Sequence, residues 1–354
     1  MDGNCGTQRE LAALRGAILG WHDENARDLP WRGEGDPYRI WVSEIMLQQT
    51  RAETVIPYYL RFLSRYPDVQ ALAAAPLEQV LKDWEGLGYY SRARNLHRAA
   101  RMVAERPGAT FPADVKGLLA LPGIGAYTAG AVASMAYGLP EPAIDGNQVR
   151  VLSRLFGIRG STALPATKKA IREAAQRLLD RERPGDFNQA LMGMGALVCL
   201  PRKPRCENCP GAIHCRALAL DIREHLPELP ERVSQRLESR AVALVYHGER
   251  VLVRQRPEEG LLGGLWEFPH FLGVRRKAEL REALLEMGVT PCSIQKGPAA
   301  RHVFTHMIWE MRGYVVMAAS GESPSGRFVT GPELEALPMA TAQRVYREEA
   351  MKAL

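Results

Sequence analysis

The chain has 354 residues, 46% hydrophobic and 24% charged, enough for two or three core-forming domains and too apolar for a disordered segment. The formal charge of +6 resides wholly in residues 1–220, which hold 28 Lys+Arg against 22 Asp+Glu, while residues 221–354 hold 18 of each. That balance suits a polyanion partner for the first part, and no apolar run is long enough, at about 18 residues, for a membrane-spanning helix.

The start, MDGNCGTQRE, lacks the basic and apolar regions of a secretion signal, so a soluble, unsecreted protein is expected. Residues 8–27 read as an amphipathic helix with Leu11, Leu14, Ile18 and Trp21 on one stripe. A Pro- and Gly-marked loop containing Arg32 follows, and then a helix predicted from Tyr38 to Thr50. There Trp41, Glu44, Ile45 and Gln48 share a face, so Glu44 is a carboxylate among large apolar groups. Desolvation raises the pKa of such a group and suits it to general-acid work at neutral pH, although a lone helix glutamate is more often exposed. Residues 53–106 read as wholly helical apart from GLGYYSRARNL, where two tyrosines beside Arg92 and Arg94 form either a base-stacking and phosphate-binding surface or core and cap.

Asp114–Ala120 and Ala126–Tyr137 read as two helices joined by Leu121-Pro122-Gly123-Ile124-Gly125. Gly123 and Gly125 are expected to take positive φ and come close to a ligand, and the free N–H groups opening the second helix form an anion site suited to a DNA phosphate. Asp145 follows in AIDGN, a setting equally natural for a turn or an N-cap. Val149–Leu155, Lys168–Leu179 and the segment Phe187–Cys199 continue as helices. Cys199, Cys206, Cys209 and Cys215 then fall within one short window, while Cys5 and Cys292 stand alone. Their C-x6-C-x2-C-x5-C spacing points to a metal rather than disulfides, with zinc and a cubane iron–sulfur cluster both compatible with four thiolates. Arg202, Lys203 and Arg205 lie between the first two of these cysteines. Residues 217–238 read as a linker, and 239–354 as a second domain of hairpins, an amphipathic helix RRKAELREALLEMG and further strands.

LPGIGAYTA resembles the helix-hairpin-helix of the endonuclease III superfamily of DNA glycosylases, and AIDGN its catalytic-aspartate segment. WVSEIMLQQT is similar to the catalytic-glutamate segment of the MutY family of adenine DNA glycosylases within it. The resemblance implies a multi-domain fold class: an all-α helix-hairpin-helix glycosylase region over 1–216, with the hairpin near 114–137 and a cluster loop at 199–215, then a C-terminal α+β Nudix-like domain over 239–354. It implies a [4Fe-4S] cluster on the four cysteines. It makes Glu44 the acid that protonates adenine, Asp145 the stabiliser of the sugar cation, Tyr127 a hydrogen-bond donor and Asn147 an orienter of water or carboxylate. Arg32 and Gln189 fall at the edge of the active site. Leu47, Gln49 and Tyr89 enter the duplex, while Gly123, Gly125, Arg202, Lys203 and Arg205 face phosphates. Phe304-Thr305-His306 resembles the family's loop for 8-oxoguanine, with threonine in place of the more typical serine.

A Nudix hydrolase needs paired glutamates for Mg2+, and here Leu285 and Gly273 stand where glutamates belong, so a recognition module is expected. Tyr127 stands where strand-cleaving relatives carry a lysine, which implies a monofunctional glycosylase acting as a monomer on double-stranded DNA with adenine opposite 8-oxoguanine or guanine. A bacterial-type, nucleoid-associated cytoplasmic location is expected, with a nuclear or mitochondrial one as the alternative. The competing readings are an oxidised-pyrimidine glycosylase with lyase activity and a non-catalytic DNA-binding protein.

Overall fold

The computed structural model describes residues 7–231, 234–273 and 276–354, so that Cys5 and Arg275 lie outside it. From the N-terminal side run α1 (Gln8–Asn25), α2 (Pro37–Leu47), α3 (Ala52–Arg65), α4 (Val69–Ala74), α5 (Leu77–Asp83), α6 (Ser91–Ala104), α7 (Val115–Leu119), α8 (Ala126–Tyr137), α9 (Gly146–Phe156), α10 (Pro165–Leu178), α11 (Pro184–Leu197) and α12 (Arg216–Ala219). The strands are β1 (Arg236–His247), β2 (Arg250–Gln255), β3 (Trp266–Glu267), β4 (His270–Leu272), β5 (Pro291–Val303), β6 (Met307–Ala318) and β7 (Arg327–Val329). Three more helices, α13 (Lys277–Glu286), α14 (Gly331–Ala336) and α15 (Arg344–Ala353), accompany them. No helix among the described residues is long and apolar enough to cross a membrane.

The chain divides into two compact units. The first, helical, unit runs to Ala73 and resumes over Arg98–Glu231. Thr7 and Glu10 open α1 with a capping box, and its stripe Leu11, Leu14 and Ile18 packs with Val151, Leu155, Phe187 and Leu191 in one core. Asp36 caps α2 and Pro37 starts it, but the helix ends at Leu47 rather than at the expected Thr50. The chain has to reverse into α3, which it does by placing Gln49 at φ +59 and returning the Thr50 N–H to the Leu47 carbonyl at 3.2 Å. The stretch 53–106 is likewise broken into four helices rather than continuous.

The second unit combines Ala74–His97 with the C-terminal residues from 232 onward. Its sheet has the order β3-β2-β1-β6-β5, with β4 on β1 and β7 on β2, and is mixed because β1 and β6 pair in parallel. Six consecutive residues of β1 are buried, as befits a central strand covered on both faces. Leu280 and Leu284 of α13 pack on Ala241, Ala243 and Val245. Two sequence boundaries shift. Pairing of Arg236 with Met307 brings the last three residues of the expected linker into β1. Residues 74–97, assigned from sequence to the helical region, are tied into the second unit instead. The Trp266 indole N–H donates to Glu78, Arg347 pairs with Glu85 at 2.6 Å, and Lys82 donates to the Glu335 carbonyl at 2.6 Å.

Candidate active site

In the helical unit a cleft of about 800 Å3 is lined by α2, the turn after it, the start of α8, the Asp145 loop and α11. It gathers Glu44, Tyr127, Asp145 and Asn147, together with Arg32, Leu47, Gln49, Gly125 and Gln189. Residues distant in sequence therefore meet in one cleft.

Glu44 projects from the middle of α2 and is only 4% exposed. Burial pushes its carboxyl up to about 7; the hydrogen bond from the Tyr127 hydroxyl opposes that rise, and the nearby Asp145 charge adds to it. Tyr127 Oη lies against Glu44 Oε2 and also 3.8 Å from Met192 Sδ. Burial and the two carboxylates hold the phenol well above its ordinary value, so it stays a neutral donor.

Asp145 caps a helix and also lines the cleft. As the N-cap of α9 it accepts the Gln148 N–H at 2.7 Å, and its other oxygen accepts from Asn147 Nδ2 at 3.0 Å while lining the cleft. Burial raises its pKa, and these two donors, with Arg150, pull it back. Burial raises both carboxylates in the cleft, but their partners differ: Glu44 meets the Tyr127 hydroxyl in an apolar setting and is pushed up to about 7, whereas Asp145 accepts N–H donors that favour its anion against that rise.

Arg150 is a functional candidate that the sequence reading missed. It donates to Asn147 Oδ1 at 2.8 Å, to the Gly195 carbonyl at 2.7 Å and, through Nε, to the Cys199 carbonyl at 2.7 Å. Its spacing of three from Asn147 on a helix was the available signal. Gln48, Thr128 and Met192 also line the cleft and were unremarked for this role, with Gln48 Nε2 donating to Thr128 Oγ1 at 3.4 Å.

The hairpin forms as expected except at one glycine. Gly123 takes φ +78, whereas Gly125 has φ −93 and is extended, because it serves as the N-cap of α8. No side chain caps that helix start, which leaves the position facing outward.

Cys199, Cys206, Cys209 and Cys215 are free thiols lining one pocket with apolar walls from Val151, Leu155, Met194 and Val198. Burial pushes Cys209 up to about 11 and also raises Cys215. Arg154 Nη1 approaches Cys199 Sγ at 3.4 Å, and the same guanidinium grips the Leu200 and Pro201 carbonyls. A Cβ on Gly211 would meet Leu155 at 3.0 Å and Leu14 at 3.2 Å, so this wall tolerates only glycine without movement. Among the described residues no group of three or more His, Cys, Asp or Glu is placed to hold a single metal ion. Arg202, Lys203 and Arg205 are exposed in the loop between Cys199 and Cys206 and do not reach the cleft.

In the second unit Tyr89, at φ +49 and 48% exposed, places its hydroxyl 3.2 Å from Thr305 Oγ1. Phe304 stacks edge-on against the buried Trp309 and against His302, and His306 is exposed beside it; Tyr89, His302, Phe304, Thr305 and His306 line one hollow with Tyr90 and Leu262. Arg92 and Arg94 are not a phosphate surface. Arg92 is buried, its pKa lowered to about 10 by desolvation, and it donates to the Leu87 and Gly88 carbonyls, while Arg94 donates to Gly263. Arg92 thus satisfies carbonyls of the turn that presents Tyr89, and Arg94 one in the loop at Gly263. Leu285 is 49% exposed on α13, and Gly273 has open space around it at φ +75.

Comparison with known proteins places this geometry. The HhH-GPD superfamily of base excision DNA repair proteins matches residues 42–181, and the NUDIX domain matches residues 241–349. An adenine DNA glycosylase of Homo sapiens is 35% identical over 96% of this chain and 74% of its own length. Among solved structures, a thermostable thymine-DNA glycosylase is 35% identical with a TM-score of 0.55, covering 60% of this chain and 98% of its own. An endonuclease III–DNA complex, 22% identical with a TM-score of 0.52, shares the fold over 62% of this chain and 99% of its own.

Proposed function

This chain belongs to the adenine DNA glycosylases, and from that premise we propose how it hydrolyses the N-glycosidic bond of adenine in DNA. The observation that carries the mechanism is the pair of unlike carboxylates in one cleft, Glu44 buried and bonded to Tyr127, Asp145 held by N–H donors.

Adenine leaves poorly as an anion. Protonated Glu44 donates to a ring nitrogen as the bond stretches, and Tyr127 keeps the carboxyl aimed. Cation character then develops on the sugar, and ionised Asp145 stabilises it electrostatically or by transient covalent capture before water attacks. Asn147 and Arg150 fix the carboxylate in place. The target base must leave the stack to reach Glu44, which costs least in a mispair. No lysine occupies the Tyr127 position, so no amine is available there for a Schiff base, and the product is an abasic site.

For the base opposite, we propose that the hollow formed by Tyr89 and Phe304-Thr305-His306 reads 8-oxoguanine. The Tyr89–Thr305 contact supports this by joining a candidate wedge to a hydroxyl that both donates and accepts. The four cysteines would hold a [4Fe-4S] cluster, which when bound cross-links the chain from 199 to 215 and supplies positive charge to buried thiolates. An apolar pocket lined by four free thiols has the donor chemistry such a group takes.

The test is base release from a duplex with adenine opposite 8-oxoguanine, followed by alkali to cut abasic sites, in parallel with borohydride trapping. Adenine release with no trapped adduct is expected. Efficient trapping, or release of an oxidised pyrimidine instead of adenine, would contradict the reading.

A further inference from the structure

Asn188 of α11 is 1% exposed and absent from the cleft lining, yet its side chain reaches both sides of the Asp145 loop. Its Oδ1 accepts the Ala143 N–H at 3.0 Å, two residues before Asp145. On the far side, Gln148 Nε2 donates to the Asn188 carbonyl at 3.1 Å and to Oδ1 at 3.4 Å. Nδ2 donates to the Glu141 carbonyl and to Ser134 Oγ, both at 2.9 Å. The Ala143 amide can only donate and the Glu141 carbonyl can only accept, so the orientation of the Asn188 amide is fixed.

Gln148 is fully buried, and its backbone N–H is the one that Asp145 Oδ1 accepts. The surrounding backbone leaves no slack. A Cβ on Gly130 would meet the Pro142 carbonyl at 2.3 Å, and one on Gly195 would meet Asn147 Cβ at 2.6 Å. Residues 141–148 are therefore pressed between α8 and α11, with Asn188 as the polar fastening.

We infer that Asn188 is a positioning residue for the glycosylase reaction, setting the stance of the Asp145 carboxylate by pinning its loop before and after it. This rests on the role proposed above for Asp145. The titratable and charged groups that face Asp145 are Glu44 from α2, Tyr127 from α8 and Arg150 from α9, and none of them touches Asn188.

The experiment is single-turnover adenine release by the full-length chain across a pH series, with active fraction and duplex affinity measured separately, for wild type, Asn188→Ala and Asn188→Asp. Asn188→Ala is expected to slow release by about 100-fold per active molecule at unchanged affinity. Its acid limb should move to higher pH, because a loosened loop weakens the Gln148 bond that keeps Asp145 ionised. Asn188→Asp should be slow at high pH, where a carboxylate faces the Glu141 carbonyl, and should approach the wild-type rate at the same pH as the medium is acidified and that carboxyl gains a proton to donate. A folded Ala variant with the wild-type rate constant, or with an unmoved acid limb, overturns the inference. Should the Ala variant fail to fold, a constant ratio of Asp variant to wild type across pH overturns it instead. A wild type that releases no adenine sinks the underlying reaction as well, and is thereby told apart from failure of Asn188 alone.

Discussion

In the helical unit a glutamate is buried where packing alone would favour an apolar side chain, whereas in the second unit a leucine is exposed where a Nudix hydrolase would carry a metal-binding glutamate. Glu44 is 4% exposed and Leu285 is 49% exposed. Both sit on short helices that otherwise pack through apolar side chains, α2 through Trp41 and Ile45, α13 through Leu280 and Leu284. The fold in each case is specified by those packed faces, and chemistry depends on whether one position departs from them. The first unit retains the departure and the strain on stability that goes with it; the second keeps the sheet and helix with Leu285 and Gly273 at two positions where a hydrolase would carry glutamates.

The largest effect that would break this contrast is at Asp145. Asp145→Asn is expected to lower adenine release by roughly 1000-fold while duplex binding persists, measured by single-turnover kinetics beside a gel-shift titration. Next comes the stability consequence of burying Glu44. Its folded pKa of about 7 lies above the unfolded value, so its contribution is fully favourable below about pH 4.5 and is lost as pH rises through 7. Glu44→Gln mimics the protonated form and should be more stable than wild type at pH 8, by roughly 3 kcal/mol, with the advantage shrinking toward pH 5. Denaturant unfolding at the two pH values checks the sign. A Gln variant less stable at pH 8 would mean that Glu44 is not desolvated as described.

Smaller effects sharpen the other side. Thr305→Ala is expected to reduce the preference for adenine opposite 8-oxoguanine over adenine opposite guanine by about 10-fold, with the guanine-opposed rate nearly unchanged, as suits the loss of one hydrogen-bonding hydroxyl. Equal loss on both duplexes would assign Thr305 to packing. The smallest change belongs to Leu285→Glu, an exposed site where stability should move by less than about 0.5 kcal/mol and no Mg2+-dependent nucleotide hydrolysis should appear.

Much of the helical unit was legible because its signals are local. Glycine placement fixed the hairpin, apolar spacing fixed α1 and α8, and the cysteine spacing fixed a four-thiol pocket. The apolar neighbours on its helix face marked Glu44 as a group that could be desolvated, but its assignment rested on the family likeness of WVSEIMLQQT, since a helix glutamate is more often exposed. Arg150 and Asn188 escaped notice because what they do depends on backbone groups far away in sequence, at Cys199 and Ala143, which no periodicity reveals. The placement of residues 74–97 was hidden for the same reason. Glu78 and Glu85 look like ordinary surface helix glutamates until Trp266 and Arg347 are folded onto them. The end of α2 was overrun because Gln48, Gln49 and Thr50 are compatible with helix, and only the reversal into α3 stops it.

The central claim is that Glu44 works as a buried, protonated acid. The most direct measurement is single-turnover adenine release by wild type and Glu44→Gln from a duplex with adenine opposite 8-oxoguanine, followed from pH 6 to 9. The expected result is a wild-type rate that falls as pH rises through about 7, and no release by the Gln variant at any pH although it still binds the duplex. Release by Glu44→Gln at close to the wild-type rate, or a wild-type rate that climbs through the same range, would contradict it.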